Sequence, residues 1–269
     1  MAYGDNFYRS TDGGLTWTNI TPGQKTLDGK YFISHPLKDN GYTWVKNKAI
    51  HWGPGIEIDP RNPDRVFLTS GNGLWVCDNV WDEKDIQFYI EPNGIEEVVP
   101  IDLISIMGGY LYSTILDFDG FIHKKIDEPA EIYIPNIGAT GVIAACKENT
   151  NIMMRISNSQ DVAYYSENAG RTWKKMKSAG GFGGGRGAIT LIGDEKYRFF
   201  HTSSNEIKYS DDYGNTWNNS TGTLGEQFSV FVEETDPMII YSYSYTRKSD
   251  SNPKAQNILG ILADRKSVV

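Results

Sequence analysis

Long apolar runs, basic clusters and paired cysteines are nearly absent from this sequence of 269 residues. No apolar run approaches the roughly 18 residues that a membrane span requires. The net charge is -8, and Lys and Arg form nothing longer than pairs such as Lys124-Lys125. Nucleic acid and membrane are therefore not expected as partners. The first residues also lack the charged and apolar segments of a signal peptide.

The two cysteines, Cys77 and Cys146, form no Cys-x-x-Cys pair and no Cys/His spacing of a metal site. Two buried free thiols are the favoured interpretation, and a disulfide is the alternative. No other group of ligands has metal-binding spacing, so neither a metal nor another cofactor is expected. Calcium held by the acidic turn at Asp117 and Asp119 is the alternative to that expectation.

The sequence is rich in aromatic residues (13%) and glycines (28), as is typical of many short strands joined by tight turns. One motif, S-x-D/N-x-G-x-T-W, occurs three times. Each copy follows a short aromatic strand, and we expect a turn in which the Ser, Asp or Asn and Thr side chains bond backbone groups while Gly takes a positive φ. The motif residues are Ser10, Asp12, Gly14, Trp17, Ser166, Asn168, Gly170, Trp173, Ser210, Asp212, Gly214 and Trp217.

The repeat predicts the fold class, because 44 residues separate Ser166 from Ser210, about the length of one four-stranded propeller blade. We expect an all-β protein, a β-propeller of four-stranded antiparallel blades, with about five to six blades of an expected seven. Whether the ring closes is left open. Residues 1–247 are predicted to form a single propeller domain, with 22–50 as an irregular loop or divergent blade. Residues 248–269 are predicted to be a frayed or truncated tail.

The three motifs resemble the Asp-box, or BNR repeat, of sialidases and sortilin-type receptors. A longer ordered series is more specific, and over roughly residues 50 to 245 it resembles the second, C-terminal propeller of glycoside hydrolase family 74, the xyloglucan-cleaving enzymes. The series comprises His51-Trp52, Ile56 to Arg65, Gly94-Ile95-Glu96-Glu97, Asp102 to Ser105, and Leu116 to His123.

This resemblance implies two seven-bladed propellers facing each other across a groove, each contributing one catalytic Asp from an Asp-x-Gly-Gly turn. Carried onto this chain, the second propeller's Asp is Asp117, the expected general acid, although Asp119 replaces the following Gly. The resemblance implies acid/base, inverting hydrolysis of a β-1,4-glucan such as xyloglucan, outside the cell. The general base is expected in an N-terminal propeller that this chain does not visibly supply, so the chain alone is expected to be inactive.

Asp119 has two predicted roles. Its charge could raise the pKa of Asp117 and help keep that acid protonated, or it could form a turn before Gly120.

Several other side chains are candidates for sugar contacts, because aromatic rings suit the C–H faces of pyranoses and polar groups can bond hydroxyls. For the aromatic residues the alternative is core packing. For the others it is a turn, and for Arg155 it is pairing with an acidic neighbour. The candidates are His51, Trp52, Trp75, Glu96, Glu97, Tyr110, Phe121, His123 and Arg155.

Two rival functions stay open. One is a non-catalytic Asp-box propeller that binds protein or glycan, like sortilin or a photosystem-assembly factor. The other is an exo-sialidase, although the expected N-terminal Arg-Ile-Pro cannot be placed in this sequence.

Overall fold

The computed structural model describes residues 2–3, 6–21, 52–53, 55–71, 73–83, 85–90, 98–116, 118–181, 186–203, 206–220, 229–233, 239–244 and 258–263. Within these ranges the regular structure consists of β-strands and contains no helix. The chain divides into two compact units, Met1–Val98 and Val99–Val269.

The first unit contains two antiparallel sheets whose strands follow one another in chain order. A three-stranded sheet consists of β1 (Ala2–Tyr3), β2 (Asn6–Arg9) and β3 (Thr18–Asn19). A four-stranded sheet consists of β4 (Ile56–Asp59), β5 (Asn62–Ser70), β6 (Gly73–Cys77) and β7 (Phe88–Ile90). Phe7, Leu68, Trp75 and Phe88 belong to the apolar core between them.

The second unit repeats the same antiparallel order. Its first blade consists of β8 (Pro100–Ser105), β9 (Leu111–Ile115), β10 (Gly120–His123) and β11 (Glu131–Ile132). The next consists of β12 (Thr140–Ala145), β13 (Met153–Ser157), β14 (Ala163–Ser166) and β15 (Lys174–Lys175).

The remaining strands of the second unit form two more sheets. One blade consists of β16 (Ala188–Gly193), β17 (Lys196–Ser203), β18 (Glu206–Ser210) and β19 (Asn218–Asn219). The last described sheet consists of β20 (Ser229–Val232), β21 (Ile239–Ser244) and β22 (Ile258–Ala263).

Repeated four-stranded antiparallel blades with apolar cores between them confirm the predicted all-β propeller fold. The cores use side chains of both neighbouring blades, as in the cluster that joins Tyr112 and Tyr133 to Met153 and Trp173. A twisted four-stranded sheet has two apolar faces to cover, and stacking blades side by side covers both.

The three motif turns share one hydrogen-bond pattern. In the second copy, Ser166 Oγ accepts from the backbone N of Gly170 at 2.9 Å and of Asn168 at 3.2 Å, and Asn168 Oδ1 accepts from Thr172 N at 2.9 Å. The first and third copies make the equivalent bonds. Gly170 has φ 70°, a conformation that glycine adopts without strain. The motif therefore closes its own turn.

One segment differs from the sequence prediction. The sequence predicts a frayed or truncated tail over residues 248–269, because a polar stretch interrupts the strand pattern before residue 258. In the structure, residues 258–263 form β22, which pairs antiparallel with β21 from Ile239↔Ala263 to Ser244↔Ile258. The apolar run ILGILA supplies a strand that completes hydrogen bonding along β21. The single propeller domain over 1–247 stays a prediction, and 22–50 lies outside the described residues.

Both cysteines are buried free thiols, as predicted. Burial raises the pKa of Cys77 to about 11 and of Cys146 to about 12, so neither is a reactive thiolate near neutral pH.

Candidate active site at the turn between β9 and β10

The turn between β9 and β10 contains the two acidic residues of the predicted site. Backbone hydrogen bonds hold its ends: Leu116 N donates to Val99 O at 2.9 Å, and Ile115 N donates to Asp119 O at 3.0 Å. Asp117 lies outside the described residues. Leu116 is 39% exposed and Asp119 is fully buried. The turn therefore begins at the surface and ends in the interior.

Asp119 accepts three hydrogen bonds through its buried carboxylate. Its Oδ1 accepts from Thr140 Oγ1 at 2.6 Å. Its Oδ2 accepts from the Ile137 backbone N at 2.9 Å and from Arg155 Nη1 at 2.5 Å. A buried carboxylate needs both charge compensation and hydrogen bonds, and these contacts supply both. They also connect the turn to the start of the next blade, where Thr140 opens β12.

Arg155 is the cation of this pair and comes from β13 of the next blade. It is fully buried, and its Nη2 donates to the Pro135 carbonyl oxygen. Its Nε has no hydrogen-bond partner among the described residues. Three aromatic rings surround the guanidinium, with centres 4.9, 5.0 and 5.1 Å from its carbon, and they stabilise the charge in place of water. The rings belong to Trp173, Tyr133 and Tyr164.

We call Asp119, Thr140 and Arg155 the interblade clamp. Arg155 was a candidate for a sugar contact, with pairing to an acidic neighbour as the alternative. The structure shows the pairing, and the side chain has no exposed surface. An Arg that points into the interior from the apolar strand Ile152 to Ile156 is stable because Asp119 meets it there.

Gly120, which follows Asp119, allows a close approach between β9 and the residue Tyr133. A Cβ at this position would lie 2.2 Å from Ser113 O and 2.4 Å from the Tyr133 ring. Tyr133 in turn donates its hydroxyl to Ser113 O at 2.9 Å. Glycine is therefore required here by space.

A second clamp repeats this arrangement one blade further. Asp161, in the turn between β13 and β14, accepts from the backbone N of Ala179 at 2.7 Å and of Gly181 at 3.3 Å, in the segment that leads to β16. Ser178 Oγ also donates to it at 3.1 Å. An Asp in a β-turn again binds the segment that enters the next blade.

His201 on β17 has the register position that Arg155 has on β13. Arg155 pairs with Tyr164 and His201 with Lys208, each two residues before the motif Ser of its strand. His201 Nε2 lies 2.6 Å from the Ala179 carbonyl oxygen. Burial lowers the pKa of His201 to about 4, although the Ala179 and Thr202 carbonyls favour the charged form. His201, which contacts the second clamp through Ala179, is thus a neutral imidazole near pH 7.

Asp102 on β8 is a further buried carboxylate, and the sequence predicts no role for its side chain. Its Oδ1 accepts from Leu103 N at 2.8 Å, and Arg186 Nε lies 3.3 Å from the same atom. Burial raises the pKa of Asp102, and the Leu103 N–H and the Arg186 charge oppose that effect. Sequence alternation places the apolar neighbours inward, whereas Ile101 and Leu103 are 42% and 55% exposed. Because the apolar neighbours of Asp102 face outward, the usual alternation of a strand does not predict that Asp102 is buried.

The other predicted site residues are separated by burial. Trp52 is 68% exposed with φ 51°, so its ring lies at the surface of the first unit. Tyr110 is 37% exposed, and Lys124 Nζ lies 5.9 Å from its ring centre. His51, Glu96 and Glu97 lie outside the described residues.

Phe121 and Trp75 are interior residues, which corrects their assignment as sugar-stacking candidates. Phe121 is 6% exposed and stacks on Phe118 with ring centres 6.1 Å apart. Trp75 is 1% exposed. Apolar rings on the inner faces of blades supply core area, which is why these two pack inward. His123 is half-buried, its Nε2 lies 2.9 Å from Ser113 Oγ, and burial lowers its pKa.

No group of three or more His, Cys, Asp or Glu side chains is arranged to hold a metal ion within the described ranges. A search of the same ranges for a helix long and apolar enough to cross a membrane found none.

These blades and clamps define a β-propeller with an acidic turn on its first complete blade of the second unit. No family model matches the chain. The chain is 27% identical to a xyloglucanase of Paenibacillus sp over 259 residues, which is 88% of this chain and 25% of that protein. It is 26% identical to a xyloglucanase of Acetivibrio thermocellus over 230 residues, 78% of this chain and 27% of that protein.

A solved structure, the GH74 enzyme of Niastella koreensis, matches with a TM-score of 0.67 and 28% identity, over 90% of this chain and 33% of that chain. The relatives and structural neighbours of this chain are thus GH74 xyloglucanases, where GH74 is glycoside hydrolase family 74. The chain spans between 25% and 33% of the length of these three proteins.

Proposed function

We propose that this chain is the acid-bearing propeller of a glycoside hydrolase that cleaves a β-1,4-glucan backbone such as xyloglucan, with Asp117 as the general acid. The similarity to xyloglucanases over most of the chain supports the substrate class. One structural observation supports the place of the acid: the clamp Asp119–Arg155 holds the end of the turn that contains Asp117.

The proposed chemistry needs two carboxyl groups. One carboxylic acid protonates the leaving oxygen, and a carboxylate activates water on the opposite face of the sugar, about 6.5 to 9.5 Å away in inverting enzymes. Asp117 supplies the first group. We propose that a second, N-terminal propeller supplies the base, and that the chain alone binds glucan without cleaving it. The extracellular location implied by the resemblance stays a prediction.

We propose that Asp119 anchors the turn instead of tuning the acid. A second carboxylate raises the pKa of a neighbouring acid less when an opposite charge lies beside it, because the two charges act on the acid in opposite directions. Arg155 compensates Asp119, and the Ile137 N–H and the Thr140 hydroxyl saturate its oxygens further. Its contacts all point away from an acid-tuning role and towards fixing the turn.

The test measures reducing-sugar release from soluble xyloglucan by the chain joined to an upstream propeller that contains an Asp-x-Gly-Gly turn. Loss of a general acid lowers rates by roughly 100-fold to 10,000-fold, so Asp117→Asn is expected to abolish most release. Asp12→Ala, in the first motif turn, is the control and is expected to retain it. Equal release by Asp117→Asn and the parent protein would overturn the assignment. Binding of peptides with no glucan bound or cleaved would favour the non-catalytic alternative.

A further inference from the structure

Arg186 and Phe231 lie side by side at a point that the proposed reaction leaves without a role. Arg186 lies two residues before the first residue of β16, and its carbonyl oxygen accepts from Val230 N of β20 at 3.3 Å. The guanidinium carbon of Arg186 lies 5.7 Å from the centre of the Phe231 ring. The backbone bond therefore holds a cation and an aromatic ring next to each other.

The carboxylate of Asp102 contacts the Arg186 side chain of this pair. The Asp102 side chain is 4% exposed, whereas that of Arg186 is 56% exposed and the residue Phe231 is 40% exposed. Arg186 Nε lies 3.3 Å from Asp102 Oδ1. The two terminal amino groups of Arg186 have no other hydrogen-bond partner among the described residues. The buried carboxylate of Asp102 thus orients the exposed guanidinium of Arg186 through Nε, and the terminal amino groups of Arg186 can donate hydrogen bonds to a ligand.

Asp102 lies at the end of its blade where the β9–β10 turn lies. Asp102 is the cross-strand partner of Thr114, three residues before Asp117. Thr114 Oγ1 is buried and has no hydrogen-bond partner in the described part of the chain. Leu116 N bonds to Val99 O just before β8 begins, so the β9–β10 turn and the entry to β8 are adjacent.

We infer that Asp102, Arg186 and Phe231 form a subsite for one neutral sugar unit of the glucan chain. The inference rests on the proposed function. The guanidinium donors suit sugar hydroxyls, and the exposed part of an aromatic ring suits the C–H face of a pyranose. Asp102 already compensates the charge of Arg186, so the subsite favours a neutral ligand over a uronic acid.

Binding of glycan by the full chain tests this subsite. Retardation in affinity gels is measured with soluble xyloglucan, a neutral glycan, and with polygalacturonate, an acidic one. Removing a hydrogen-bonding charge or a stacking ring is expected to weaken neutral binding about tenfold in Arg186→Ala and in Phe231→Ala. Lys125→Ala and Met107→Ala are the matched controls, because both residues are exposed and lie at the other end of the blade strands, and they are expected to bind like the parent chain.

Asp102→Asn gives a second test, because it keeps the shape of the side chain but removes the compensating charge. It is expected to shift retention from xyloglucan towards polygalacturonate. The inference is overturned if xyloglucan does not retard the parent chain, if the Arg186 and Phe231 variants bind like the controls, or if the parent chain prefers polygalacturonate.

The subsite and the proposed reaction fail in different ways. If Asp117→Asn loses sugar release while Arg186→Ala keeps full glycan affinity, the reaction stands and the subsite falls. If the chain binds xyloglucan through Arg186 and Phe231 but no sugar is released with an upstream propeller, the subsite stands and the reaction falls.

Discussion

Arg155 and Asp119 show how a single residue pair can determine the environment of a turn. Both side chains are fully buried, and the contact joins two blades. A buried ion pair contributes little net stability compared with apolar packing, but loss of one partner leaves a buried charge uncompensated and costs about 3–5 kcal/mol.

Arg155→Met is therefore expected to lower the free energy of unfolding by about 3–5 kcal/mol, measured by urea denaturation. The double variant Arg155→Met/Asp119→Leu is expected to recover part of the loss, because neither charge then remains inside. Lys124→Met is the control: its pair with Glu131 is exposed, and such pairs contribute about 0–1 kcal/mol. A loss below 1 kcal/mol in Arg155→Met would contradict the structural role of the clamp.

His201 predicts a pH dependence of stability. Its pKa is lowered from 6.5 to about 4 in the folded chain, so the unfolded chain binds the proton more tightly. The contribution of His201 is fully present above pH 6.5 and is lost as the pH falls from there towards 4. The stability difference between the parent chain and His201→Gln is expected to shrink over that window in urea denaturation. An NMR titration of His201 with its midpoint above 6.5 would show the opposite sign.

The sequence could identify Arg155 as unusual but not its partner. A charge in an apolar strand is visible locally, whereas Asp119 lies 36 positions away on another blade. Periodicity does not say which side chains of neighbouring blades face each other. Asp102 was missed for a related reason, because alternation along β8 predicts it at the surface.

At the scale of the element, the S-x-D/N-x-G-x-T-W turn is the feature that sequence predicts best. Its hydrogen bonds join residues two or four positions apart, so the residue types alone specify them. The third strand of the last sheet was missed because its partner β21 lies across a polar stretch.

The motif Ser is expected to matter most where it is buried. Ser166 is fully buried, so Ser166→Ala leaves the Gly170 and Asn168 N–H groups without a partner and is expected to cost about 1–3 kcal/mol. Ser10 makes the same bonds in an exposed turn, where water can replace it. Ser10→Ala is therefore the matched comparison, with a smaller expected loss in urea denaturation. Equal losses would mean that burial does not decide the cost.

At the scale of the whole molecule, sequence predicted the all-β propeller architecture of four-stranded antiparallel blades. Apolar alternation and turn residues recur at blade length, which is why the propeller architecture could be predicted from the sequence.

Strand β22 predicts how the last sheet depends on residues after 257. A chain that ends at residue 257 lacks β22 and leaves the backbone groups of β21 along one edge unpaired. Exposed strand edges promote association, so this variant is expected to form dimers or larger species in light scattering after size exclusion. A chain that ends at residue 263 keeps β22 and is expected to behave like the parent. A monomeric 1–257 chain of unchanged stability would contradict the role of β22.

The two clamps also limit how this part of the molecule can be reshuffled. In the interblade clamp, Asp119 of one blade binds Arg155 of the next, and at the following boundary Asp161 and His201 of neighbouring blades both contact Ala179. If the blade β12–β15 were moved alone into another protein, it would carry Arg155 without Asp119 at one boundary. At the other boundary it would separate Asp161 from His201. Exchange of a single 44-residue repeat would therefore leave a buried charge uncompensated. The smallest module that recombination or engineering can exchange here is larger than one repeat.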